Sequence, residues 1–208
     1  MTKLSHSTLK TIMTPKTTAK TRKPRTVKVS AVPDLPKNPF AFEILDLVSK
    51  QRTKAKKVAL LQRYGDLSLK QILKWNYDTT IISALPEGEV PYGNFEDDAT
   101  TSGTLTTAIS FEVRRMHETG SFSLGSSDKQ GHTTIRREAK NFYRFVKGGQ
   151  DSLSNLRRET MFINVLTGLH PLEAEILVLV KDGKLEERYN ISKDVVSEAF
   201  PDIIWGDA

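Results

Sequence analysis

Apolar residues first recur at helical spacing after Asn38-Pro39, where Phe40, Ile44, Leu45, Leu47 and Val48 predict a helix reaching about Lys50. Asn38 suits its N-cap, and Pro39 suits a first helical position where the missing N–H costs nothing. A second helix is predicted from Thr53 to Tyr64 on Ala55, Val58 and Leu61, closed by Gly65 in a left-handed conformation. Ser68 is the expected cap of a third, Leu69 to Tyr77, with Leu69, Ile72 and Leu73 inward. Pro86-Glu87-Gly88 and Pro91-Tyr92-Gly93 then end regular structure.

From Leu105 to His117 the pattern alternates like a strand at first and then turns helical; a helix is the preferred reading. Its flanks are polar and rich in Gly and Ser, so 93–132 reads as a long mobile excursion. The last third is more regular. Thr133–Lys147 places Ile135, Ala139, Phe142, Tyr143 and Val146 on one face, and Asp151–Thr167 does the same with Leu153, Leu156, Thr160, Ile163 and Leu166. Pro171 starts a helix with Glu173 and Glu175 in its first turn and an almost wholly apolar body, the pattern of a buried central helix. Ser192 caps a final helix through Phe200. The expected fold is therefore all-α, a compact domain of about six to eight short helices.

Charge divides the chain more sharply than hydropathy does. Lys and Arg number 31 against 25 Asp and Glu, a net +6. Residues 1–38 hold nine cations and the single acid Asp34, so this stretch alone carries +8 and the other 170 residues carry −2. Four prolines and no apolar period leave the stretch little to bury, which predicts disorder in the free chain. The expected organisation is a basic arm at 1–37, a helical cluster at 38–92, the excursion at 93–132, and a helical part at 133–208 sharing one core with the cluster.

A polycationic arm releases counterions from phosphates, with Arg22-Lys23-Pro24-Arg25 its densest focus. The candidate nucleic-acid-binding residues are Lys16, Lys20, Arg22, Lys23, Arg25 and Lys28, extended by Lys54 and Lys57, which share a helical face with Lys50. The arm contains no interleaved aromatic, so the binding it predicts is independent of base sequence. The block Ile135-Arg-Arg-Glu138 recurs as Leu156-Arg-Arg-Glu159, read as two helices of a hairpin whose arginines pair with the glutamates in preference to gripping phosphate. Trp75, Tyr77, Phe142, Tyr143 and Phe145 read as core aromatics, while the terminal Trp205 either packs back or docks on a partner.

Other chemistries find no support. With no Cys, a thiol nucleophile and a thiolate metal site are excluded. His6, His117, His132 and His170 are not spaced as ligands, and the His170-Pro-Leu-Glu173 pair is explained by helix capping. No phosphate loop, nucleophile elbow or paired-carboxylate site is present, which predicts a non-enzymatic protein without cofactor, metal or small-molecule substrate. No apolar run approaches the about 18 residues of a membrane span.

The stretch LRRETMFINVLTGLHPLEAEILVLVKDGKL (156–185), with ISKDVVSEAFPDI (191–203), LPEGEVPY (85–92) and NFYRFVKGG (141–149), resembles a family of tailed-bacteriophage proteins of unknown function. The resemblance covers most of 39–92 and 133–204 and leaves out the arm; the 93–132 connection is longer than usual. It implies a protein made in a bacterial host cytoplasm, with the virion as an alternative place. Its implied partners are phage or host nucleic acid and phage or host proteins. No residue's role carries over. Three expectations follow: an accessory protein holding nucleic acid through the arm while the helical domain contacts protein; a virion or assembly component whose arm and central segment order against neighbouring subunits; or an inhibitor of a host enzyme.

Overall fold

The computed structural model describes residues 34–91, 103–120 and 132–206. The chain divides into two units, 1–34 and 35–208, and the described helices all belong to the second. The arm residues Lys16, Lys20, Arg22, Lys23, Arg25 and Lys28, and the expected disorder around them, lie outside the described residues.

The described part is all-α: α1 (Ala41–Ser49), α2 (Lys54–Tyr64), α3 (Leu67–Tyr77), α4 (Leu105–Thr119), α5 (Ile135–Glu138) running into a 3₁₀ helix (Ala139–Phe145), α6 (Asn155–Gly168), α7 (Pro171–Lys181), α8 (Leu185–Tyr189) and α9 (Lys193–Ala199). Extended pairing among the described residues is limited to one antiparallel bridge between Ser83 and Val146. The predicted central helix is the observed one: α7 packs against α1, α3, α4, α6 and α8. Its Leu172, Ala174, Ile176, Leu177 and Val180 are all buried. The helices of 41–77 thus share one core with those of 155–199, and 93–132 contributes to it, since α4 lies along α7 with Leu105, Ile109, Val113 and Met116 buried.

Several local readings need correction. α1 starts at Ala41, after Phe40, because Glu43 reaches back to the Phe40 N–H at 2.8 Å; Asn38 and Pro39 precede it. The α3 cap is Asp66, whose Oδ1 accepts the Leu69 N–H at 2.8 Å while Ser68 donates to the same oxygen at 2.7 Å. Gly65 has φ −66°, so its glycine answers to crowding: a Cβ would lie 2.3 Å from the Phe200 ring.

The predicted helix at 133–147 breaks after one α-turn. With three residues per 3₁₀ turn, Ala139, Phe142 and Phe145 form the buried row, and Tyr143 is turned out, 47% exposed. In α6 the buried face is Arg158, Phe162, Ile163 and Leu166, one step round from the predicted stripe; Leu156 is 69% exposed. The two Arg-Arg-Glu blocks are therefore not equivalent, because Ile135 opens one in the core and Leu156 opens the other in solvent.

Candidate nucleic-acid interface

The two body lysines expected to extend the arm's footprint are both engaged, and they do not share an exposed face. Lys57 is buried and donates its ammonium to the Asn190 carbonyl at the left-handed end of α8. Lys54 is exposed and pairs with Glu198 of α9 at 2.9 Å, a bond that raises its pKa. Sequence periodicity placed them correctly on α2, but α9 and the end of α8 lie against that helix and take up their charge.

The arginine pairs separate likewise. Arg136 reaches across to the Asp66 carboxylate and the Pro39 carbonyl, joining α5 to α3 and to the approach of α1. Burial would raise the Asp66 pKa, and the bonds from Ser68, Leu69 and Arg136 more than offset it, holding the carboxyl below its ordinary value. Arg158 is buried and donates to the Arg144 and Gln150 carbonyls and to Asn155 Oδ1, at 2.8 to 3.0 Å. Glu138 accepts from Thr133 and Asn141 in place of the arginine pairing expected for it. Ion pairing was the right kind of role for Arg136, with a different partner; Arg158 is a buried cap of carbonyls.

A cleft of about 310 Å³ opens where α1, α3 and α5 begin, bordered by Phe40, Asp66, Arg136 and Glu173. Glu173 sits under it on α7, only 1% exposed. Its Oε1 accepts the Ala41 N–H at 3.2 Å and its Oε2 the Ile135 N–H at 3.0 Å, so one carboxyl serves the first residues of two helices. Desolvation pushes its pKa up to about 7 despite those donors and Arg136. The neighbouring His170 caps α7, accepting the Leu172 N–H on Nδ1 at 3.2 Å while stacked on Phe42, and burial lowers its pKa. This is the capping geometry anticipated for the His170-to-Glu173 spacing. Each polar group described here is satisfied by the protein, so the cleft is a structural junction. Among the described residues no group of three or more His, Cys, Asp or Glu lies close enough to hold a metal. No described helix is long and apolar enough to cross a membrane.

Besides the exposed Lys50, Arg52 and Lys56 around the start of α2, a strip of positive charge lies beside α3. Residues 136–147 hold Arg136, Arg137, Lys140, Arg144 and Lys147 against Glu138, and behind them Trp75, Phe142, Phe145 and Phe162 pack into an aromatic cluster. The sequence missed this strip because a 3.6-residue period hides Tyr143 in the core; reading 139, 142 and 145 as a three-residue period would have turned it outward. The C-terminal tail packs back: the Gly206 N–H donates to Asp78 at 2.9 Å, and Lys193 stands 5.0 Å above the Trp205 ring.

A family of unknown function (DUF6433) matches over residues 44–129 and 125–187. No curated protein and no solved structure matches.

Proposed function

The chain belongs to that family of unknown function, and within it we propose a non-enzymatic bacteriophage accessory protein of the host cytoplasm that holds nucleic acid through its basic N-terminal arm while the helical body contacts protein. The observation that carries the reading is the segregation of charge: +8 in residues 1–38 and −2 in the rest. Cations concentrated on a stretch of few apolar residues gain free energy by displacing counterions from phosphates, independently of base sequence. Lys57 is buried against the Asn190 carbonyl and Lys54, at the surface, is paired with Glu198, so the grip falls to Lys16, Lys20, Arg22, Lys23, Arg25 and Lys28.

The test is a titration of labelled duplex DNA with the full chain and with a chain lacking residues 1–33, at about 50 and 200 mM salt. Full-chain affinity is expected to fall by roughly a thousandfold over that span if six or more phosphates are engaged. The shortened chain should bind weakly at both. Equal binding by the two chains would refute the role of the arm and redirect attention to purified particles, where a virion component would be found.

A further inference from the structure

Between α3 and the 3₁₀ helix runs a groove of about 260 Å³ whose lining includes Gln71, Lys74, Trp75, Lys140, Phe142 and Tyr143. Its floor is apolar, and its rim carries the two lysines. The 3₁₀ period aligns Lys140 and Tyr143 along one wall, and Val146, extended just past the helix, also lines the groove. Tyr143 is an exposed aromatic held in place: Arg144 donates to its phenol oxygen at 3.2 Å and lies 5.5 Å from the ring centre. Lys74 is only loosely paired, 3.9 Å from Asp78. On the inner wall the Trp75 indole N–H, shut off from solvent, has no hydrogen-bond partner.

The sign of the rim selects the occupant. Lys74 and Lys140, with Arg144 beside them, make that sign positive and favour an anionic occupant. What fits is a polyanion that also offers a flat apolar face, and a nucleic acid with unpaired bases has both. A duplex keeps its base faces stacked inside and offers no flat apolar face. A groove below the roughly 300 Å³ of small-molecule pockets suits one base better than a larger ligand.

We propose that this groove takes one unpaired base of a single-stranded nucleic acid, stacked on Tyr143, with Lys74, Lys140 and Arg144 on the flanking phosphates. The inference rests on the nucleic-acid reading above and adds a discrimination the arm cannot make, because counterion release is, if anything, larger on a duplex and cannot favour a single strand, while stacking needs an exposed base. Binding through the groove therefore favours single strands.

The experiment measures the full chain against a labelled oligo-dT and a labelled duplex of equal length. Three chains are compared: the natural sequence, Tyr143→Ser, and an arm variant in which Lys16, Lys20, Arg22, Lys23, Arg25 and Lys28 become Gln. The natural chain should prefer the single strand. Tyr143→Ser should weaken single-strand binding about tenfold, within the range for losing one stacked base, and leave duplex binding unchanged. The arm variant should weaken both ligands in parallel; if it weakens neither, the arm reading fails while the groove stands or falls on Tyr143. Single-strand affinity indifferent to Tyr143→Ser, or lost in parallel with duplex affinity, would overturn the groove proposal. In a Trp205→Phe background Trp75 is the one remaining tryptophan, and its fluorescence should change saturably with oligo-dT. An unchanged signal overturns the proposal, as does displacement of the oligonucleotide by a polyglutamate peptide of equal charge, which would assign the groove to an acidic protein partner.

Discussion

At the scale of single residues, Glu173 shows how a buried charge can be both necessary and costly. Its two oxygens satisfy the N–H groups of Ala41 and Ile135, which a side chain of another shape would leave exposed to an apolar surrounding. Yet desolvation lifts its pKa from 4.5 to about 7, so between those values the folded chain holds a proton that the unfolded chain has released. Stability contributed by this group is therefore greatest below about pH 4.5 and falls as pH rises to 7, by about 3 kcal/mol if it titrates alone. Glu173→Gln abolishes that titration and leaves one N–H facing an amide, at a cost of about 1–3 kcal/mol. Urea melts should find the variant clearly weaker at pH 5 and the gap narrowed at pH 8; a constant gap would disprove the titration. Gly65 is a steric case. Alanine there drives a methyl into the Phe200 ring and the Leu61 carbonyl, and Gly65→Ala should lose about 1–3 kcal/mol in the same assay. A free alanine at this position would mean the α2–α9 contact yields without strain.

At the scale of elements, periodicity was a good guide in α1, α3 and α7. In α1 the predicted Ile44, Leu45, Leu47 and Val48 are buried, in α3 Leu69, Ile72 and Leu73, and in α7 the apolar body, whereas in α2 Val58 and Leu61 are buried but Ala55 is exposed and Lys57 is buried in its stead. The failures are equally physical. In 135–145 the helix tightens to three residues per turn, which brings Phe145 inward and Tyr143 outward. In α6 the arginine at 158 goes inside because the Arg144 and Gln150 carbonyls need donors there. No stripe of apolar residues announces that demand. α4 is the element whose placement carries a consequence: an excursion would tolerate truncation of its apolar residues, whereas a helix laid along α7 would not. Met116→Ala is expected to cost about 2–5 kcal/mol of global stability. A change under half a kcal/mol would detach α4 from the core.

For the whole molecule, the amino-acid sequence alone determined the helical class, the central position of Pro171–Lys181, the acid-poor basic arm and the absence of thiol chemistry. These depend on local spacing, on composition and on charge, all of which act without reference to distant residues. It is from these that the nucleic-acid proposal draws its salt dependence. Tertiary structure decided which charges remain for a partner. Lys54 is paired through Glu198 and Lys57 is buried against Asn190, across separations no local pattern encodes. Arg136 is spent on Asp66, and Lys181, buried at the end of α7, holds the carbonyls of Pro86 and Gly88. Conversely, the packing of α3 against the 3₁₀ helix set Tyr143 and Lys140 outward beside Lys74, a juxtaposition made by folding from residues 66 or more positions apart in the chain. A side chain's type is fixed where it is written in the sequence; its availability depends on what the fold brings within a few ångströms of it.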